Sequence, residues 1–140
     1  MKILIDTNVL IDFISMREPY FDDAKSIFKA CINDKVQGCI AAVSVTDIFY
    51  ILRKLVPENK RREELKRICK LFTIIGIDKD KLIAALDNAT FTDFEDCLQS
   101  ECAVDYGADY IVTRNTKDFE NSKVKAITPT EFLQLLSPMK

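Results

Sequence analysis

The chain has 140 residues and a formal net charge of −2, and it contains no histidine. The missing histidine excludes serine and cysteine hydrolases that use histidine as a general base, and it excludes histidine-ligated zinc. Any catalysis must therefore come from carboxylates, amines, hydroxyls, thiols or a bound metal.

Composition favours one compact cytoplasmic domain that spans residues 1–140. Apolar residues make up 48% of the chain and charged residues 30%, as in ordinary globular proteins. The five cysteines are an odd number without a C-x-x-C pair, which favours reduced thiols over a disulfide framework. No apolar run is long enough for a membrane span.

Short apolar runs alternate with amphipathic segments along the whole chain. The strands are predicted at residues 1–5, 39–43, 72–77, 110–113 and 124–127. The helices are predicted at residues 9–14, 19–32, 44–56, 58–71, 80–88, 92–106 and 129–136. This alternation is typical of an α/β protein with three α/β/α layers and a central, mainly parallel sheet of four to five strands. The last strand is expected at an edge.

Several helix boundaries carry local signals. Asn8 is predicted to cap the first helix, and Pro19 to lie in the first turn of the second. Ser44 and Thr92 begin S-x-x-D and T-x-x-E patterns, which predict the starts of the third and sixth helices. Gly107 is the expected stop of the sixth helix.

The second helix has a continuous apolar stripe. This stripe fits either the domain core or a dimer face, and we expect the core because a small domain uses most such stripes internally. Its members are Tyr20, Ala24, Ile27, Phe28, Cys31 and Ile32.

Acidic residues follow the predicted strands or open the helices after them. Asp6 ends the first strand, Asp47 follows the second, and Asp118 follows the fourth, while Asp93 and Asp96 lie in the first turn of the sixth helix. The carboxyl ends of parallel strands share one edge, so these residues are expected in one cleft. Carboxylates gathered there repel unless a cation neutralises them, and oxygen ligands suit Mg²⁺ or Mn²⁺. Such an ion supports phosphodiester hydrolysis.

A purely structural interpretation of these aspartates is also open. The helix dipole favours aspartate in a first turn, and both Ser44 to Asp47 and Asn115 to Asp118 resemble capping boxes. Asp6 is different because it directly follows an apolar strand, where burial without a partner is costly.

Three sequence blocks resemble the PIN-domain ribonucleases, in particular the VapC-type toxins. The opening ILIDTNVLID is similar to the first motif of that family, and SVTDIFYILRK is similar to its second acidic motif. The block DFEDCLQSECAVDYGADYIVTRNTKDF, followed by ITPTEFL, resembles the third and fourth motifs with their common tail. The resemblance implies the PIN fold and metal-dependent RNA cleavage.

The resemblance also implies roles for individual residues. Asp6, Asp47, Asp96 and Asp118 occupy the catalytic acidic positions, and Asp47 stands where the family most often has glutamate. Metal ligation falls to Asp6, Asp96 and Asp118, with Asp93 as a further acid. Polar side chains that would orient the site are Asn8, Thr113 and Asn115. Because aspartate is shorter than glutamate, Asp47 predicts weaker metal binding.

Residues 53–70 contain eight basic and three acidic residues, a local net charge of +5. This segment fits either an RNA-phosphate surface or a solvated amphipathic helix. The candidate RNA-binding residues are Arg53, Lys54, Arg61 and Arg62. The resemblance further implies a homodimer and a small antitoxin that blocks the cleft, although an orphan PIN protein is an alternative.

Three other interpretations compete with a PIN nuclease. Haloacid-dehalogenase-type phosphatases need a second aspartate two residues after the first, where this chain has Asn8. Receiver domains need paired acids at the end of the first strand, and only one is present. A PIN-fold RNA-binding or scaffold module with a degraded site fits Asp47 and the acidic pI of about 5.2.

Overall fold

A five-stranded, entirely parallel sheet forms the centre of the molecule. The computed structural model describes residues 1–137. The strand order is β3-β2-β1-β4-β5, which places β5 at an edge as predicted. The strands are β1 (Lys2–Ile5), β2 (Gln37–Ala41), β3 (Thr73–Ile75), β4 (Tyr110–Val112) and β5 (Lys125–Ile127).

Helices cover both faces of this sheet. They are α1 (Thr7–Ile14), α2 (Phe21–Ile32), α3 (Ala42–Ile51), α4 (Glu58–Leu71), α5 (Lys79–Asp87), α6 (Phe94–Tyr106) and α7 (Pro129–Leu136). Short 3-10 turns follow α3 and β4, at Leu52–Lys54 and Thr116–Phe119. The predicted three-layer α/β fold is confirmed.

The central strand β1 divides the core into two halves. Ile3 and Ile5 belong to the larger half, which includes residues of α1, α2, α3, α4 and α7. Leu4 points the other way and packs with Cys102 and Ala103 of α6. Ile3, Leu4 and Ile5 are fully buried, as expected for a strand covered on both faces. A run of consecutive apolar residues therefore specifies the middle of the sheet.

Three predicted helix caps are wrong. Asp6, and not Asn8, caps α1 by accepting a hydrogen bond from the Thr7 amide at 2.7 Å. Helix α3 begins at Ala42, directly after β2, so Ser44 lies inside the helix and is fully buried. Helix α6 is capped by Asp93 instead of Thr92. Helices α1 and α3 begin closer to the preceding strands than the local capping patterns suggest, whereas α6 follows α5 and begins two residues later than predicted.

Other boundary signals act as the sequence indicates. Gly107 adopts a left-handed conformation, with φ of 75°, and ends α6. Thr128 and Glu131 form a reciprocal capping box at the start of α7, with Pro129 in the first turn. Pro19, in contrast, lies in the turn before α2, which begins at Phe21.

Most of the apolar stripe of α2 belongs to the core. Ala24, Ile27, Phe28 and Cys31 are buried, but Ile32 remains exposed. Tyr20 lies just before the helix and is 39% exposed. In residues 1–137, no helix is both long and apolar enough to cross a membrane.

Candidate metal and active site

The predicted acidic residues line one open pocket at the carboxyl edge of the sheet. This pocket has a volume of about 320 Å³. Its acidic lining comes from the end of β1, from α3, from the start of α6 and from the 3-10 turn after β4. The acidic residues are Asp6, Asp47, Asp93, Glu95, Asp96 and Asp118. We call this pocket the acidic pocket.

Asp6 is the buried centre of the acidic pocket. Its Oδ1 accepts hydrogen bonds from the Thr7 amide and from Gln99 Nε2, both at 2.7 Å, and its Oδ2 accepts one from Thr113 Oγ1 at 2.7 Å. Burial raises the pKa of Asp6, these hydrogen bonds oppose that rise, and the nearby Asp118 carboxylate adds to it. The three hydrogen bonds therefore fix the orientation of the Asp6 side chain, and its pKa depends on the charge of neighbouring groups.

Thr113 connects Asp6 to the two asparagines of the site. It is fully buried, and its hydroxyl accepts hydrogen bonds from the Asn115 amide at 3.0 Å and from Asn8 Nδ2 at 3.4 Å. Asn8 Oδ1 in turn accepts a bond from the Arg114 amide at 3.4 Å. Of the three predicted orienting residues, Thr113 therefore supports Asp6 from behind, while Asn8 and Asn115 line the pocket.

The start of α6 brings further carboxylates to the pocket. Asp93 Oδ1 accepts a hydrogen bond from the Asp96 amide at 3.0 Å, so this acid has a capping role. Burial and the neighbouring Asp6 raise the pKa of Asp96 to about 7. A hydrogen bond with Asp47 raises the pKa of Glu95 to about 7. Several carboxylates lie close together in this pocket, and their mutual repulsion favours the binding of a cation.

The donor chemistry fits a hard divalent cation, but the side chains are not already gathered around one point. In residues 1–137, no three histidine, cysteine or acidic side chains are arranged so that they could hold a metal ion together. The acidic residues still share one pocket, and the pKa values of Asp6 and Asp96 are raised. Oxygen ligands of this kind suit Mg²⁺ or Mn²⁺.

Sequence reasoning missed three residues that build the site. Gln99 is buried and holds Asp6, and Ser44 Oγ accepts a bond from Thr7 Oγ1 at 2.8 Å. Glu95 contacts Asp47. Gln99 lies one helical turn after Asp96 and could have been found by helical spacing, whereas the predicted start of α3 hid the interior position of Ser44.

The basic segment contains both structural and exposed side chains. Arg61 is buried, and its guanidinium donates to the carbonyl of Val56 at 2.9 Å and to that of Phe49. These backbone acceptors already bind its guanidinium, so the structure disfavours the predicted RNA contact of Arg61. Arg62 is exposed and pairs with Glu58 within α4. Arg53 and Lys54 are exposed in the 3-10 turn beside Ile51, which lines the acidic pocket.

We expect the metal-free protein to lose stability as the pH rises from 5 to 7.5. The folded-state pKa values of Asp96 and Glu95 are about 7, above the ordinary carboxylate values near 4. Protonation of these two side chains therefore stabilises the folded protein. This stabilisation is fully present below their pKa values in the unfolded chain, and it is lost as the pH rises through their pKa values in the folded protein. No histidine titrates in this window.

Thermal melts in EDTA would measure this effect. The melting temperature should fall with rising pH, and Mn²⁺ should raise it more at pH 7.5 than at pH 5. Asp96→Asn should reduce the slope of the profile in EDTA and leave the part that Glu95 contributes, whereas Asp80→Asn on α5 should leave the profile unchanged. A flat wild-type profile would contradict the inferred repulsion in the pocket.

A parallel α/β sheet with an acidic pocket at its carboxyl edge is the architecture of the PIN class. The family model described as the PIN domain matches residues 2–117. The chain therefore belongs to the PIN-domain family. This membership decides against the phosphatase and receiver-domain interpretations. No curated protein sequence gives a significant match.

Solved structures with the same fold are VapC and FitB toxins of toxin–antitoxin complexes. A toxin–antitoxin complex from Klebsiella pneumoniae has 26% identity and a TM-score of 0.65, over 90% of this chain and 96% of the other. DNA-bound VapBC from Salmonella typhimurium has 18% identity and a TM-score of 0.70, over 92% and 98%. Mycobacterium tuberculosis VapC20, a sarcin-ricin loop cleaving toxin, has 10% identity and a TM-score of 0.63, over 78% and 86%.

Proposed function

We propose that this PIN domain is a metal-dependent endoribonuclease and the toxin of a toxin–antitoxin pair. The acidic pocket carries the proposal, because it collects the acidic side chains around a buried Asp6 that three hydrogen bonds hold in place. Crowded carboxylates without histidine fit phosphodiester hydrolysis with a divalent cation better than any chemistry that the side chains could perform alone.

Asp6, Asp96 and Asp118 would hold Mg²⁺ or Mn²⁺, with Asp93 as a further oxygen donor. When bound, the cation would activate water and neutralise charge on the phosphate. Thr113 and Gln99 keep the Asp6 carboxylate oriented toward the pocket. Thr113 is itself fixed by the Asn115 amide, so the segment after β4 and the end of β1 act as one rigid unit.

The RNA backbone would approach over the exposed end of α3. Arg53 stacks on the Tyr50 ring, with its guanidinium carbon 3.8 Å from the ring centroid, and Lys54 follows it. Arg53 and Lys54 follow Ile51, which lines the acidic pocket, by two and three positions in the chain. Arg62 is a further candidate, because its surface pair with Glu58 is weak enough to exchange for phosphate.

The structural relatives support the proposed partners. Several of them were solved as toxin–antitoxin complexes. We therefore propose that a small antitoxin occupies the acidic pocket, that the protein forms a homodimer, and that residues 1–140 form a single PIN domain acting in the cytoplasm. The competing proposal is an RNA-binding module with a degraded site, which the shortened acid at Asp47 favours.

A cleavage assay distinguishes these two functions. Purified protein, checked by mass spectrometry for a bound inhibitor, would be incubated with structured and single-stranded RNAs in Mn²⁺, Mg²⁺ or EDTA. The nuclease proposal requires cleavage at defined sites that EDTA abolishes. RNA binding without cleavage in any metal would support the degraded-site alternative.

We expect Asp47→Glu to tighten Mn²⁺ binding. The longer side chain restores the acid that the family most often has at this position, and it extends the carboxylate by one methylene toward the other ligands. Isothermal titration would measure the affinity, with Asp80→Glu as a control of the same chemical change far from the pocket. An unchanged Mn²⁺ affinity would contradict the hypothesis that the shorter acid weakens metal binding, as would an equal effect of the control.

A further inference from the structure

A second pocket adjoins the acidic pocket but shares little of its chemistry. It lies between the start of α2, the segment after β4 and the start of α7, and its volume is about 320 Å³. That volume is within the roughly 300–1,000 Å³ range of pockets that hold small ligands. Asn115 lines both pockets, so a ligand in this second pocket would lie next to a group bound in the acidic pocket. We call it the Tyr20 pocket.

Arg114 and Tyr20 give this pocket a rigid, flat surface. Arg114 Nε donates to Asp12 Oδ2 at 2.6 Å and Nη2 donates to Asp12 Oδ1 at 3.3 Å, so the guanidinium plane is fixed. Its central carbon lies 4.2 Å from the centroid of the Tyr20 ring. Within residues 1–137, Arg114 Nη1 has no protein acceptor and remains available as a donor.

The charge of the Tyr20 pocket disfavours a phosphate. Arg114 is balanced by the buried carboxylate of Asp12. Asp23 accepts a hydrogen bond from Thr130 Oγ1 at 2.6 Å through Oδ2, and it forms no ion pair with any residue among 1–137. The pocket therefore presents one uncompensated carboxylate, which attracts neutral N–H donors and repels anions.

We infer that the Tyr20 pocket binds a nucleobase of the RNA, next to the phosphate in the acidic pocket, and that it prefers guanine. Arginine and tyrosine planes are the surfaces on which unstacked bases are bound. Guanine places N1–H and an amino group side by side, which matches a carboxylate acceptor, and its ring acceptors can meet Arg114 Nη1. This inference rests on the proposed function, because it takes RNA to be the substrate.

Titration with the four nucleosides, which carry the base without a phosphate, tests the inference in EDTA, where no cleavage intervenes. Binding would be followed by NMR through the Arg114 Nε–H resonance, with inorganic phosphate as the reference probe. Guanosine should bind about tenfold more tightly than uridine, as a hydrogen-bonded pair with a charged acceptor implies. Asp23→Asn should remove that preference, whereas the matched control Asp22→Asn, on the exposed side of the same helix, should retain it.

Three results would overturn the inference: no movement of the Arg114 resonance, equal movement with inorganic phosphate alone, or an unchanged preference in Asp23→Asn. Tyr20→Ala is a second test, and it should weaken the binding of all four nucleosides together because it removes the stacking plane. These outcomes can be distinguished from those of the nuclease assay. Binding of guanosine by a protein that cleaves no RNA removes the nuclease proposal alone, and RNA cleavage without nucleoside binding removes this inference alone.

Discussion

We expect Asp6→Asn to reduce metal-dependent RNA cleavage by roughly 10³-fold. A carboxylate about 4 Å from a unit positive charge contributes about 4 kcal/mol at an effective dielectric near 20, and this energy corresponds to a factor of that size. The asparagine keeps an oxygen for the Thr7 amide and Gln99, and its amide group replaces the oxygen that accepts the hydrogen bond from Thr113. Single-turnover cleavage in saturating Mn²⁺ would measure the loss.

The Asp6→Asn variant should remain folded, so that a loss of cleavage reports on catalysis and not on unfolding. Burial raises the pKa of Asp6, so removing its charge relieves a desolvation cost in the metal-free protein. The free energy of unfolding in EDTA should change by less than about 1 kcal/mol. Asp87→Asn on α5 is the matched control. If Asp6→Asn cleaves RNA as fast as this control, Asp6 is not the centre of the site.

The second large effect is expected from Arg114→Met. Arg114 forms an ion pair with Asp12, whose side chain is only 2% exposed. Loss of the arginine leaves a buried carboxylate without a cation, so the free energy of unfolding should fall by roughly 3–5 kcal/mol. Urea denaturation at constant pH would measure it. The change should exceed that of any surface arginine in the chain.

Two companion variants distinguish a buried charge from simple loss of packing. Arg62→Met breaks an exposed pair with Glu58 and should cost at most about 1 kcal/mol. The double variant Asp12→Leu with Arg114→Met removes both charges and should recover most of the lost stability. If the double variant is as unstable as Arg114→Met alone, the uncompensated charge of Asp12 is not the cause.

The sequence alone determined the order of strands and helices and the edge position of β5. Apolar runs such as residues 1–5 specify strands buried on both faces, and local stops such as Gly107 specify where helices end. The motif blocks pointed to the PIN family, which the family model matches over residues 2–117. The location of the acidic residues followed from a general rule, because parallel strands bring their carboxyl ends to one edge.

The tertiary structure decided which polar groups meet. Arg61 lies in the basic segment that predicted RNA binding. In the folded protein, however, its guanidinium donates to the carbonyls of Val56 and Phe49. Gln99 and Asp6 are 93 positions apart and form a 2.7 Å hydrogen bond, and Arg114 and Asp12 are 102 positions apart and form an ion pair.

The physical reason for this division is the range of the interactions. Hydrophobic periodicity and backbone capping act between neighbours in sequence, so they can be read from a single chain. Hydrogen bonds and charge pairs depend on atomic distances that only the packing of α1, α6 and the segment after β4 defines. The sequence therefore determined the fold and the kind of chemistry, and the tertiary structure decided which side chains hold Asp6 and which form the Tyr20 pocket.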